Sequence, residues 1–277
     1  MSVLEPDITD GRVRFDEDAC RKAGERFASE YRNAEPFPHI ALDDFLPSDV
    51  LRPILAEFPR SEGRRHFDRE QERLKYQYHP QECRPAVRSL LAELNSQAFL
   101  GFLSELTGIE GLIADPYFLG GGLHETKRGG HLGVHADFNI HNTMKVVRRL
   151  NLLIYLNEDW DESFGGELEL WDREMRERRQ SIAPLIGRAV IFNTDLDSFH
   201  GHPEPLACPP DRSRRSIATY YYTAPVDGIA SVPRRTTVFR PRPETKDRAD
   251  WKVKAHHLWQ DWSPPALRRM LTRSSER

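Results

Sequence analysis

A chain of 277 residues is long enough for one large domain or two small ones, with a sizeable core. Lys and Arg number 40 against 43 Asp and Glu, and the resulting net charge of -3 offers no global field for nucleic acid. Three scattered cysteines, Cys20, Cys83 and Cys208, form no CxxC pair, which argues against a disulfide framework or a structural zinc site and for a reducing compartment. The opening residues have neither a basic start nor an apolar run, and no stretch is apolar for long enough to span a bilayer. The expectation is therefore a cytoplasmic protein with no nucleic-acid partner and no membrane partner.

In chain order, a short helix is expected around Asp16–Tyr31. The stretch from Pro36 to Pro47 reads as a short strand entering a turn. Ser48 is a plausible N-cap for a helix over Asp49–Phe58, stopped by Pro59. Residues 60–83 are dense in charge with little periodicity. They read as a solvated loop, with a substrate-contacting lid as the sharper alternative. Pro85–Gly108 has apolar residues at helical spacing and predicts one amphipathic helix bracing a sheet. From residue 112 the pattern turns to strands, at Pro116–Glu125, His131–Asp137, Arg149–Leu156, Glu167–Trp171, Arg188–Phe192, Ser198–His202 and Arg214–Thr223. Consecutive short strands without intervening helices predict a mainly β sandwich or barrel with bracing helices. The tail beyond Ala224 holds a possible strand at Thr236–Phe239 and one or two short helices ending near Leu271. The organisation expected is an N-terminal bracing region (1–110), a catalytic β core (111–225) and a C-terminal extension (226–277), all within one structural domain.

The residues that carry chemistry begin with His135-Ala-Asp137. On a strand the two side chains share a face, and an imidazole beside a carboxylate makes two-thirds of a facial triad for Fe(II). The third ligand must come from far along the chain. His200, in Ser198-Phe-His200-Gly-His202, follows an apolar strand and has room to return beside the first pair; His202 shares its parity, and spacing does not separate the two. Arg214 and Ser216 share a face on the last strand. A buried arginine needs an anion, and a guanidinium fork with a nearby hydroxyl suits the far carboxylate of a dicarboxylate whose other end lies on the metal. Tyr155 shares a face with Asn151 and Leu153, and its phenol could donate to that same carboxylate. The competing reading makes these residues a surface His–Asp pair, loop arginines and a core tyrosine.

Taken together, these motifs resemble the Fe(II)/2-oxoglutarate-dependent dioxygenase superfamily, in its prolyl-hydroxylase-like branch. The resemblance runs from about Pro36 to Thr223. It rests on His135-Ala-Asp137, Tyr155-Leu-Asn-Glu-Asp-Trp160 followed by Gly165-Gly166-Glu-Leu168, Ser198-Phe-His200 and Arg214-Arg-Ser-Ile-Ala218, with Pro36-Phe-Pro-His39 and Asp44-Phe-Leu46 as its opening. It implies a double-stranded β-helix, a cupin-like jelly roll. It also implies that His135, Asp137 and His200 bind iron, and that Arg214 binds 2-oxoglutarate with Tyr155 and Ser216 assisting. The Pro-rich loop His202–Asp211 lengthens the interval from His200 to Arg214 and leaves Arg212 as the competing arginine. The implied cofactors are Fe(II), 2-oxoglutarate and dioxygen, with ascorbate as a candidate reductant. The carboxylate at Asp137 favours hydroxylation, because halogenating relatives carry a small residue there.

The leading expectation is hydroxylation of a C–H bond in a small molecule such as an amino acid, natural product or sugar, with 2-oxoglutarate converted to succinate. A protein prolyl or other residue hydroxylase is the alternative; a non-catalytic metal and ligand sensor and a zinc hydrolase on the same barrel are further ones. Substrate contacts are expected among His124, Glu125, Lys127, Arg128 and His131, and along 64–78. Their basic character hints at an acidic or carrier-bound substrate.

Overall fold

The computed structural model describes residues 2–59, 65–245 and 247. The chain opens with a small ribbon, β1 (Asp7–Thr9) and β2 (Arg12–Arg14), then helix α1 (Glu17–Arg32), strand β3 (His39–Leu42) and helix α2 (Ser48–Ala56). A hairpin of β4 (Arg65–Phe67) and β5 (Glu72–Tyr78) precedes helices α3 (Pro85–Glu93) and α4 (Gln97–Thr107). The remaining strands are β6 (Ile113–Ala114), β7 (Gly122–Ala136), β8 (Ile140–His141), β9 (Val146–Tyr155), β10 (Leu168–Trp171) and β11 (Arg178–Ile182). They are followed by β12 (Ala189–Asn193), β13 (His200–His202), β14 (Ser213–Thr223) and β15 (Val238–Phe239).

Every strand pair among the described residues is antiparallel, and β7 belongs to two layers. Its first half pairs with β14, which leads on through β9 and β12 to β3. Its second half pairs with β13, which leads on through β10 to β11. Strands that bend from one sheet into the other make the corners of a jelly roll. The corner in β7 is Gly129-Gly130. Gly129 has φ +76°, and a Cβ on Gly130 would meet the Arg73 carbonyl oxygen at 2.6 Å. Two strands were expected here, His131–Asp137 and one ending at Glu125. The glycines let one continuous strand make the turn instead.

Side-chain alternation explains the two cores. Leu150, Leu152 and Ile154 of β9, Ala189 and Ile191 of β12 and Ile217 of β14 face the helices, packed with Phe99, Phe102 and Leu106 of α4. The opposite faces, with Tyr155, Val190 and Phe192, close against Leu168, Leu170 and Ile182 inside the barrel.

Three expectations change. The helix predicted over Pro85–Gly108 is two helices, because Ser96 Oγ accepts from Phe99 N–H at 3.3 Å and starts α4 afresh. The break frees the Leu94 carbonyl, which accepts from the Tyr221 hydroxyl at 2.8 Å. Residues 65–78 are not a loop but the β4–β5 hairpin, paired with β7; residues 60–64 of the suggested lid lie outside the described residues. Strand β11 has an almost wholly exposed, charged sequence and gave no apolar alternation to read. The tail strand is observed as β15, while the helices expected near Leu271 lie outside the described residues. Among the described residues no helix is long and apolar enough to cross a membrane.

Candidate metal and cosubstrate site

The barrel interior opens into a cavity of about 1320 Å³. At its centre stand His135, Asp137 and His200, whose ligand atoms lie within 4.8 Å of one another. Register brings them together. His135 on β7 and His200 on β13 are directly opposite each other, and Asp137 follows His135 by two residues on the same face. Gly201 lets the strands close up: a Cβ there would meet the Leu132 and Gly133 carbonyl oxygens at 2.8 Å.

Hydrogen bonding sets the rings. His135 Nδ1–H donates to the Gly133 carbonyl and His200 Nδ1–H to the Ser198 carbonyl, both at 2.9 Å. Each ring therefore turns its Nε2 lone pair inward, 3.5 Å from an Asp137 oxygen. Burial would raise the Asp137 carboxyl, but Arg148, with help from His135 and His200, holds it well below the ordinary carboxylate range. Burial pushes His200 down to about 4, so its ring stays neutral. Two imidazoles with inward Nε2 atoms and an ionised carboxylate facing one cavity form a donor set that fits Fe(II).

His202 is also buried and lines the cavity, but it pairs at the level of Leu132 and lies outside the cluster. Its Nδ1 has no hydrogen-bond partner among the described residues.

Arg214 projects into the cavity, 6% exposed. Its Nε donates to the Gly166 carbonyl at 2.6 Å and its Nη2 to the Tyr155 hydroxyl at 3.1 Å. Among the described residues no carboxylate pairs with it. A buried guanidinium without a counter-charge fits an anionic ligand. Burial raises the Tyr155 phenol, which keeps it a donor, and Ser216 lines the same wall. The competing Arg212 instead reaches the Glu158 and Asp159 carbonyls and the Phe164 ring, away from the cavity. Arg215, of opposite parity, faces out toward Glu125 at 3.4 Å.

The residues suggested as substrate contacts divide. His124 lies inside the cavity, its Nε2 2.9 Å from the Gly120 carbonyl. Glu125 is turned away from the cavity, tied to Ser213 Oγ at 2.6 Å and to Lys127 at 3.1 Å. His131 Nε2 lies 2.9 Å from the Glu70 carbonyl, and Arg128 is exposed. From the β4–β5 hairpin, Glu72, Lys75 and Gln77 wall the cavity.

Sequence reasoning missed Arg148. It has the parity of the helix-facing residues, yet it lines the cavity, because the β9–β14 register shifts between the Leu150–Tyr221 and Arg148–Tyr222 pairs. It also missed the wall from the C-terminal segment. Thr236, Thr237 and Phe239 line the cavity, Phe239 stacks on His135 with centroids 5.2 Å apart, and Arg235 Nε donates to the Asp137 carbonyl at 3.0 Å.

A jelly-roll barrel with a His-x-Asp…His cluster facing its cavity has the donor set of a mononuclear non-haem metal site. Residues 121–222 match the model of the 2OG-Fe(II) oxygenase superfamily. A mouse protein, prolyl 3-hydroxylase OGFOD1, is 28% identical over 127 residues, which is 44% of this chain and only 21% of the mouse protein. Among solved structures, a Pseudomonas putida prolyl-4-hydroxylase is 18% identical with a TM-score of 0.54, covering 73% of this chain and 100% of its own. A Trichoplax adhaerens prolyl hydroxylase, in complex with a hypoxia inducible factor oxygen degradation domain peptide fragment, is 17% identical with a TM-score of 0.50, covering 74% and 91%. These likenesses establish the jelly-roll fold. Fe(II) and 2-oxoglutarate are the cofactors of the superfamily.

Proposed function

We propose that the chain is a 2-oxoglutarate-dependent hydroxylase in which His135, Asp137 and His200 hold Fe(II), and Arg214, assisted by Tyr155 and Ser216, holds the distal carboxylate of 2-oxoglutarate. The observation that carries this reading is the meeting, in one cavity, of the three-residue cluster and a buried arginine that has no counter-charge among the described residues. Bound iron, with 2-oxoglutarate and dioxygen, supplies the oxidant for a C–H bond, and succinate and carbon dioxide leave. The chain's share is placement. The two Nδ1–H bonds keep the Nε2 atoms of both imidazoles aimed inward. Tyr155 and the Gly166 carbonyl fix the guanidinium in one orientation.

Two substrate classes remain in view. A prolyl or other residue of a polypeptide is supported by the named activities of the relatives. A small molecule, the leading expectation from the sequence, is supported by the walls that β5 and residues 236–239 raise around the cavity. Incubation with Fe(II), 2-oxoglutarate, ascorbate and oxygen, against a peptide library and a metabolite extract, tests both. Succinate formation together with gain of one oxygen by a peptide assigns the first class, and the same gain by a metabolite assigns the second. Absence of succinate under all conditions, in protein shown to bind iron, overturns the hydroxylase reading in favour of a sensor.

A further inference from the structure

Asp137 is already engaged before any metal arrives. Its Oδ2 accepts from Asn151 Nδ2 at 2.8 Å and lies 3.2 Å from Arg148 Nη2. Arg148 also donates through Nε and Nη2 to Asn151 Oδ1, at 2.9 and 2.6 Å, so the three side chains close a ring. The guanidinium is fixed from its faces too, with its carbon 3.5 Å from the Tyr220 ring centroid and 4.7 Å from that of Phe138. At 2% exposure its charge is poorly screened.

Over the whole lining, Asp68, Glu70, Glu72 and Asp137 offset Arg69, Lys75, Arg148 and Arg214; beside the cluster itself the distribution is local. Asp137 is negative, Arg148 and Arg214 are positive, and Lys75 is paired with Glu72 at 3.2 Å. Arg148 is thus engaged with the carboxylate of the cluster, and Arg214 has no carboxylate partner among the described residues. A guanidinium 3.2 Å from the carboxylate opposes a lone dication there, and a dianion bound nearby offsets that opposition.

We propose that Arg148 couples the two ligands of this site: by neutralising Asp137 it keeps divalent-metal affinity low when metal is offered alone, and makes tight metal binding depend on the dianionic cosubstrate. The proposal rests on the reading of His135, Asp137 and His200 as metal ligands. The coupling is reciprocal, so metal tightens 2-oxoglutarate by the same factor. In the absence of Arg148, Asn151 still holds Oδ2, and the carboxylate keeps its place while regaining its full charge.

The test uses the full chain, stripped of metal and titrated without oxygen with Mn(II), with and without 2-oxoglutarate; free Mn(II) is read from its electron paramagnetic resonance signal. In the wild type, 2-oxoglutarate tightens Mn(II). In Arg148→Met, removal of one nearby unit charge raises Mn(II) affinity about tenfold in the absence of 2-oxoglutarate, and the tightening shrinks by about the same factor. Arg148→Gln, a second uncharged variant, reports the same quantity if the methionine variant does not fold, and Arg148→Lys retains wild-type behaviour. A purely structural role predicts the opposite sign. Unchanged or weaker Mn(II) binding in both uncharged variants, or undiminished tightening, overturns the coupling. Equal Mn(II) binding by the wild type and His200→Ala instead overturns the ligand assignment beneath it.

Discussion

His135 and His200 are direct cross-strand partners on β7 and β13, with ring centroids 4.5 Å apart, and each ring is locked by its own Nδ1–H bond to a carbonyl two residues earlier. As the proposed ligands, two imidazoles fixed this way need only Asp137 to complete a facial set. Replacing any of the three by alanine is expected to weaken Mn(II) or Fe(II) binding by more than roughly 100-fold, since even an outer-shell partner typically costs 10- to 100-fold. Circular dichroism should show the fold retained. His202→Ala is the comparison, because it shares the strand but not the cluster. Metal affinity lost in His202→Ala and kept in His200→Ala would reverse the assignment.

Arg214→Ala should raise the Km for 2-oxoglutarate by about 10- to 100-fold, the loss of a charge-assisted bidentate contact. Metal affinity measured without 2-oxoglutarate should not fall. Arg212→Ala, whose side chain lies on the surface carbonyls of Glu158 and Asp159, should leave the Km within about twofold. Isothermal titration with 2-oxoglutarate checks both.

The metal-free protein should lose stability as pH falls below neutrality. Burial lowers His124 from 6.5 to about 3 and His200 from 6.5 to about 4. Between those values and 6.5 the unfolded chain binds protons that the folded chain does not, so stability rises with pH across that window and is lost on acidification. Each such histidine contributes on the order of 1.4 kcal/mol per pH unit. Urea melts from pH 7 to 4 should show the slope, and His124→Gln should flatten it. A stability that is level over this range would mean that both rings are protonated in the folded barrel.

The corner in β7 makes a prediction about the fold itself. Gly130→Ala sets a Cβ against the backbone oxygens of Arg73 and Lys127, at 2.6 and 2.8 Å, where nothing flexible can give way. A cost of about 1–3 kcal/mol is expected, read as a lower denaturation midpoint. Gly111→Ala serves as the comparison: it sits at positive φ (+66°) and meets no atom within 4 Å, so it reports backbone strain without a clash, whereas Gly130 reports the clash without positive φ.

Much of the site was readable because β-strand parity is a property of adjacent residues. His135 with Asp137, and Arg214 with Ser216, could be placed on common faces directly. Arg148 could not, since the register shift in β9 reverses its face and is visible only in the pairing with β14. The β4–β5 hairpin escaped for a different reason. Glu72, Lys75 and Gln77 face a polar cavity, so the strand lacks the apolar alternation that marks a buried face. The helix over Pro85–Gly108 kept its apolar spacing across a break made by a single serine cap.

The sequence by itself determined the alternation of the strands, the helical faces that cover one sheet, and an ordered set of motifs resembling one oxygenase superfamily. These are local or linear properties, fixed by side-chain type and spacing. Strand parity left His202 beside His200 and Arg212 beside Arg214, and only the motif resemblance preferred His200 and Arg214; the tertiary structure puts those two in the cavity with His135 and Asp137, and it alone sets Arg148 and Phe239 against the cluster. Those choices depend on register, bulges and the docking of distant segments, where a shift of one residue turns a side chain from the cavity to the opposite face.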